Sequence, residues 1–107
     1  MFATIRRYTV QGAQMEEMTR DIRENFLPRI TQVPGFVSYD VLAAGDRLVT
    51  VSVFETREGA EESTRRAAEY VKQNPTFQRG LSKPEITQGE VRLHEAAERG
   101  AGARAAR

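Results

Sequence analysis

A chain of 107 residues, 39% of them hydrophobic, holds one domain and has no room for a second independent core. Sixteen Lys and Arg against fifteen Asp and Glu leave a formal charge of +1, which implies no basic face of the kind that neutralises nucleic-acid phosphates. Cysteine is absent, so disulfides, thiolate catalysis and Cys-ligated metals are excluded too.

The opening Met1 to Tyr8 alternates as a strand does and lacks the long apolar core of a signal peptide. No apolar run approaches the roughly 20 residues that span a bilayer. The cytoplasm is the expected compartment, with neither membrane nor nucleic acid as partner. Residues 2–10 read as the first strand, with Phe2, Thr4, Arg6 and Tyr8 on one face and Ala3, Ile5, Arg7 and Thr9 on the other. Gly12 closes it. Arg6 and Arg7 therefore point to opposite sides of the sheet; each is either a solvated edge arginine or a contact for an anion or enolate in a pocket.

From Gln14 to Val33 the period becomes helical. Met15, Met18, Ile22, Phe26, Ile30 and Val33 recur at spacings of three and four and form one apolar stripe, opposite a charged side rich in Glu and Arg. The methionines read as core filler. Pro28 has no N–H and its ring crowds the carbonyl of Glu24, so a kink or two short helices is expected. Pro34-Gly35 ends the helix and turns the chain.

The centre of the chain is a β-hairpin, Gly35–Leu42 and Leu48–Phe54 around a Gly-containing loop. With odd positions sharing a face across the turn, Val37, Tyr39, Val41, Val49, Val51 and Val53 stand together. Phe36, Ser38, Asp40 and Leu42 then stand with Leu48, Thr50, Ser52 and Phe54. Neither face is purely polar.

Thr56 is a good N-cap for a second helix, and Glu58, Glu61 and Glu62 suit the positive end of its dipole. This helix is expected to run to about Gln73. Ala60, Thr64, Ala67 and Val71 make a thin stripe beside Ala68 and Tyr70, which lets the helix lie close to a sheet or leaves room for a ligand. Asn74-Pro75 stops it. Residues 77–83 are irregular. Ile86, Gln88, Val91 and Leu93 give a last strand with a bulge expected at Gly89. Residues 1–95 form the domain; the Ala, Arg and Gly tail, 96–107, has no apolar period and is expected to be frayed or disordered.

The order β-α-β-β-α-β is the ferredoxin-like arrangement of α+β proteins, an antiparallel sheet with two helices on one face. Two helices cover one sheet face only. A second copy of the chain is the expected cover for the other, giving a homodimer through the sheet faces.

Pro34-Gly35-Phe36-Val37-Ser38-Tyr39, the strand ending Val53-Phe54-Glu55, and Pro75-Thr76-Phe77-Gln78 resemble the antibiotic-biosynthesis monooxygenase-like (ABM) family over roughly residues 1–95. The resemblance implies a dimeric α/β barrel and a pocket in each subunit between sheet and helices. The family includes cofactor-free oxygenases of polyketide phenols, quinol oxygenases and haem-degrading enzymes. The haem-degrading branch uses an asparagine on the first strand, a tryptophan on the second helix and a histidine just beyond it. Here the first strand has no Asn, the chain has no Trp, Tyr70 stands about where the tryptophan would be, and Thr76 replaces a histidine found in many relatives.

Cofactor-free oxygenation asks the protein for a base, donors for a developing oxyanion and a dry cavity. Tyr39, Tyr70, Tyr8, Arg6, Arg7 and His94 are the candidate pocket residues. His94 is the sole histidine, the one side-chain type that titrates near neutrality. No metal-ligand spacing, phosphate loop or Ser/His/Asp set is present, so neither metal nor cofactor is expected. Two functions are open: a cofactor-independent monooxygenase-like enzyme acting on a small hydrophobic phenol, quinol or enol, and a non-catalytic dimeric binding module for an apolar metabolite.

Overall fold

The alternation at the start of the chain produces β1 (Phe2–Thr9), whose Thr4, Arg6 and Tyr8 are buried. The structure, a computed structural model, describes residues 1–10, 14–75, 77 and 83–97. The stop expected at Gly12, Thr76, Gln78 and the stretch to 82, and the tail beyond 97 lie outside the described residues.

The apolar stripe folds as a helical run in three parts. These are α1 (Met15–Asp21), a π-helical turn over Ile22–Phe26, and α2 (Leu27–Ile30). Met18, Ile22, Phe26 and Ile30, spaced by four, are all buried, and Met15 packs against them at the edge. Pro28 accounts for the break. Its ring disturbs the regular ladder one turn back, and the Leu27 N–H reaches five residues to the Ile22 carbonyl instead of four.

The hairpin is β2 (Phe36–Ala44) and β3 (Arg47–Phe54), turning on Gly45 at φ 60°. A left-handed residue at a two-residue turn is the reason glycine stands there. The turn corrects the expected faces. Ala44 pairs with Arg47, so each odd residue of β2 stands opposite an even residue of β3: Tyr39 with Ser52 and Val41 with Thr50. Tyr39 and Val41 thus share the helix side with Leu48, Thr50, Ser52 and Phe54. Asp40 and Leu42 go with Val49, Val51 and Val53. A register shift between Phe36 and Ser38 returns Phe36 to the helix side, where its ring meets Phe54 at 5.7 Å.

The Thr56 side chain accepts from the Gly59 N–H at 3.1 Å and starts α3 (Arg57–Gln73). Asn74, extended at φ −111° and ψ 106° ahead of Pro75, ends it. The last strand is β4 (Glu85–Glu90), shorter than expected. Gly89 pairs in register with Ala3, so the irregularity expected there is absent and Val91 and Leu93 lie past the strand. One bond continues, from the Val91 N–H to the Met1 carbonyl at 2.8 Å.

The strands run β2-β3-β1-β4, each antiparallel to its neighbour, with both helical segments against one face. This is the α+β, ferredoxin-like class. The core lies between that face and the helices, built on Met18, Ile30, Leu48 and Phe54. The other face carries Ala3, Ile5, Val49, Val51 and Val53 half-buried, with Leu42 51% exposed.

The first turns of α3 lie hard on the sheet. A Cβ on Gly59 would stand 2.9 Å from the Pro34 carbonyl oxygen and 3.1 Å from the Phe54 ring. Close contact also buries the Thr4 and Ser52 hydroxyls without a partner among the described residues. Gly59→Ala gains up to about 1 kcal/mol of helix propensity, but it pushes on backbone that cannot yield. The expected result is a net loss of about 1–3 kcal/mol in chemical denaturation; an unchanged midpoint would contradict this packing.

Candidate functional site

Past Thr64, α3 no longer touches the sheet so closely. Ala67, Ala68 and Val71 are too short to fill the gap toward β1 and β4, and a cavity of about 390 Å³ opens there. Arg6 and Tyr8 form its floor, Phe77 closes one end, and Lys72, Lys83, Pro84 and Ile86 stand around it. No Asp, Glu or His is among its described lining residues. The volume falls within the roughly 300–1,000 Å³ of small-molecule sites.

Arg6 is 4% exposed. Its Nη2 donates to the Thr64 hydroxyl at 2.8 Å, and that hydroxyl donates to the Ala60 carbonyl at 3.1 Å. Among the described residues, Arg6 has no carboxylate within ion-pair distance. Burial draws Arg6 below its usual value, while the facing Tyr8 and Tyr39 act the other way. A guanidinium does not release its proton in a protein, so the charge remains.

Behind the cavity lies a recess of about 20 Å³, bounded by the same Arg6, Tyr8, Ala67, Val71 and Phe77 together with Tyr39, Tyr70, Ile22, Phe26 and Thr50. It has the room and the polar partners for one water. The π-helical turn contributes directly, because it sets the Phe26 ring 5.7 Å from Tyr39 and 5.1 Å from Tyr70. Tyr70 in turn meets Phe77 edge-on at 5.1 Å.

Burial pushes Tyr39 well above the usual tyrosine value, with Tyr8 adding to the rise and the Thr50 hydrogen bond and Arg6 opposing it. Burial raises Tyr8 as well, against the pull of Arg6. Tyr70 is raised by burial and by donating its hydroxyl to the Asp21 carboxylate. Burial alone would raise Asp21, but hydrogen bonds from Tyr70, Asn25 and Asn74 outweigh it and hold the carboxyl below its ordinary value.

The six candidates therefore separate. Arg6 and Tyr8 line the cavity; Tyr39 and Tyr70 line the recess behind it. Arg7 lies on the opposite face of the sheet, with Nη1 3.5 Å from the Thr87 hydroxyl. His94 is exposed beyond β4 and borders neither space. Sequence reasoning did not single out Thr64 as the anchor of Arg6; its signal was a lone hydroxyl within a stripe of alanines. Asp21 as the partner of Tyr70 had no signal, being 49 residues away. Among the described residues no group of three or more His, Asp or Glu is placed to hold a metal ion. No helix among them is long and apolar enough to cross a membrane.

No sequence-family profile matches the chain, and no curated protein matches it in sequence. Solved structures match its fold. A dimeric ferredoxin-like protein from an uncultured marine organism superposes with a TM-score of 0.73 at 11% identity, covering 90% of this chain and 98% of its own. A monooxygenase of Streptomyces coelicolor in complex with nanaomycin D gives 0.72 at 20% identity, with 91% and 92% covered. A variant of SnoaB, a cofactor-independent oxygenase of Streptomyces nogalater, gives 0.66 at 17% identity, with 87% and 94% covered. What these proteins share with the chain is the fold.

The chain has three tyrosines, and all three are raised. The folded protein keeps protons near pH 10.0 that the unfolded chain releases there, so stability is full below that pH and falls as pH rises through it. Phenolate absorbance is expected to rise only together with unfolding. Ionisation of a tyrosine near pH 10.0 in the folded protein would contradict the burial described.

Proposed function

We propose that this protein is a cofactor-independent oxygenase of small hydrophobic phenols, quinols or enols, acting as a homodimer. One observation carries the reading: a buried guanidinium, without a carboxylate partner among the described residues, forms the floor of a cavity walled by Ala67, Ala68, Val71 and Phe77 with two lysines around it. Leaving one buried charge unpaired costs on the order of 3–5 kcal/mol, and a ligand anion is the natural compensation. The shared fold with a cofactor-independent oxygenase supports the choice of chemistry.

In this reading the ligand's rings lie between the β1 floor and the Ala67, Ala68 and Val71 side of α3, with an oxygen on Arg6. The Tyr8 and Tyr39 hydroxyls, kept protonated by burial, are donors beside it. Arg6 holds the phenolate or enolate, whose electron-rich ring carbon is the electron source for dioxygen. A carbon–oxygen bond forms, the peroxide O–O bond breaks, and the C–H bond of that carbon is lost. A phenol and one dioxygen leave as a quinone and one water. Dioxygen is reduced and the ring is oxidised, with no further reductant.

The lack of a carboxylate or imidazole among the lining residues favours a second reading, a binding module for an apolar metabolite without turnover. Oxygen uptake with a panel of naphthols, hydroquinones and acidic enols separates the two. The first reading expects uptake matched by quinone formation; saturable binding without uptake leaves the second. Arg6→Met is expected to weaken binding about 10- to 100-fold, the worth of a charged hydrogen bond. The fold should be equally or more stable, because an unpaired buried charge is removed. Unchanged affinity would remove Arg6 from the site.

The apolar outer face of the sheet supports the homodimer. Light scattering is expected to give twice 12.0 kDa, and Val51→Asp, placed mid-face on β3, should return the mass to 12.0 kDa. A wild-type mass of 12.0 kDa at micromolar concentration would contradict it.

A further inference from the structure

A base that ionises a bound phenol must reach its hydroxyl, and the described residues around Arg6 offer no carboxylate or imidazole to serve as one. The groups that face it can be taken element by element. From β1 comes Tyr8, from β2 Tyr39, and from α3 Tyr70 and Lys72; Lys83 stands ahead of β4. The helical run contributes only Ile22 and Phe26, and β3 only Thr50. Asp21 lies on the far side of Tyr70, in a separate surface pocket with Asn25, Arg29 and Asn74. Glu85 borders a polar pocket with Arg7 and Arg47 that shares Tyr8 and Lys83 with the cavity, but Glu85 itself does not line the cavity, and His94 is exposed past β4. The sequence from 76 to 82, Thr-Phe-Gln-Arg-Gly-Leu-Ser, contains no carboxylate and no imidazole. Among the described residues, what surrounds the ligand is thus three cations and the protonated hydroxyls of Tyr8 and Tyr39, the Tyr70 hydroxyl being engaged by Asp21: a place that holds an anion and has no carboxylate or imidazole to make one.

We infer that the cavity takes its ligand already ionised, and so selects acidic enols and phenols. Its substrate class is the vinylogous acids, such as hydroxyquinones and enolised dicarbonyls, whose negative charge is present in water at neutral pH. Simple phenols, which are neutral there, are poor ligands because no group in the site accepts their proton. The inference rests on the reading of the Arg6 cavity as the ligand site and deepens it. It also removes the difficulty of an oxygenase without a base, since the proton is lost in solution before binding.

The test is direct binding to the full-length wild-type protein, which needs no variant. The probes are lawsone (a hydroxynaphthoquinone ionised at neutral pH), its methyl ether, which has the same rings and no acidic proton, and naphthol. Calorimetric titrations run from about pH 6 to about pH 9. Lawsone is expected to bind at least about tenfold tighter than the ether, as a charged hydrogen bond requires. Its affinity should be flat across the range, while naphthol tightens as pH climbs toward naphthol's own ionisation. Equal affinity for lawsone and ether overturns the inference and leaves the cavity as a site for neutral ligands. So does a common break in the naphthol and lawsone profiles, which reveals a protein group taking the proton. If none of the three binds, the cavity is not the ligand site and both readings fall together.

Discussion

A cation held out of water without an anion is the constraint around which this molecule is arranged. Arg6 lies mid-strand on β1, flanked on the sheet by Thr50 of β3 and Ile86 of β4, with α3 above it. Its side-chain hydrogen bond to Thr64 fixes the guanidinium, and no carboxylate among the described residues compensates the charge. A sheet face devoted only to stability would carry an apolar residue here, since replacing buried ionic groups by well-packed apolar ones is often neutral or better. The surroundings instead are shaped to leave space beside the charge and to keep acids away from it.

That space comes from how α3 approaches the sheet. At its N-terminal end Gly59, Ala60 and Ser63 are buried at direct contact, tight enough that an added methyl meets backbone. Farther along, the same small-residue pattern faces β1 and β4, where nothing from the sheet rises to meet it. One stripe therefore does two things: it packs where the sheet comes close and leaves a cavity where it does not. The aromatic group of Phe26, Tyr39, Tyr70 and Phe77 bounds the inner end, and the π-helical turn forced by Pro28 sets Phe26 into it.

Local signals in the sequence made the elements visible. The four-residue repeat of Met18, Ile22, Phe26 and Ile30, the cap at Thr56, the break at Pro28 and the stop at Pro75 all depend on neighbours within one turn, so they read directly. The faces of the hairpin depended on something less local. A two-residue turn at Gly45 and a shift beside Val37 change which side of β2 meets which side of β3, and alternation alone carries no record of either. Arg6 and Arg7 were seen to point apart, but the choice between cavity and outer face belongs to the helices, not to the strand. The bond between Tyr70 and Asp21 joins residues from two helices, which no spacing along the chain announces.

The central claim is that Arg6 awaits a ligand's anionic oxygen. A crystal structure of the protein with an ionised hydroxynaphthoquinone tests it most directly. The account predicts the ligand's oxygen within hydrogen-bond distance of the Arg6 guanidinium, with the rings against Ala67, Ala68 and Val71. Rings seated elsewhere, or Arg6 turned onto a protein carboxylate with the ligand's oxygen left free, would contradict it.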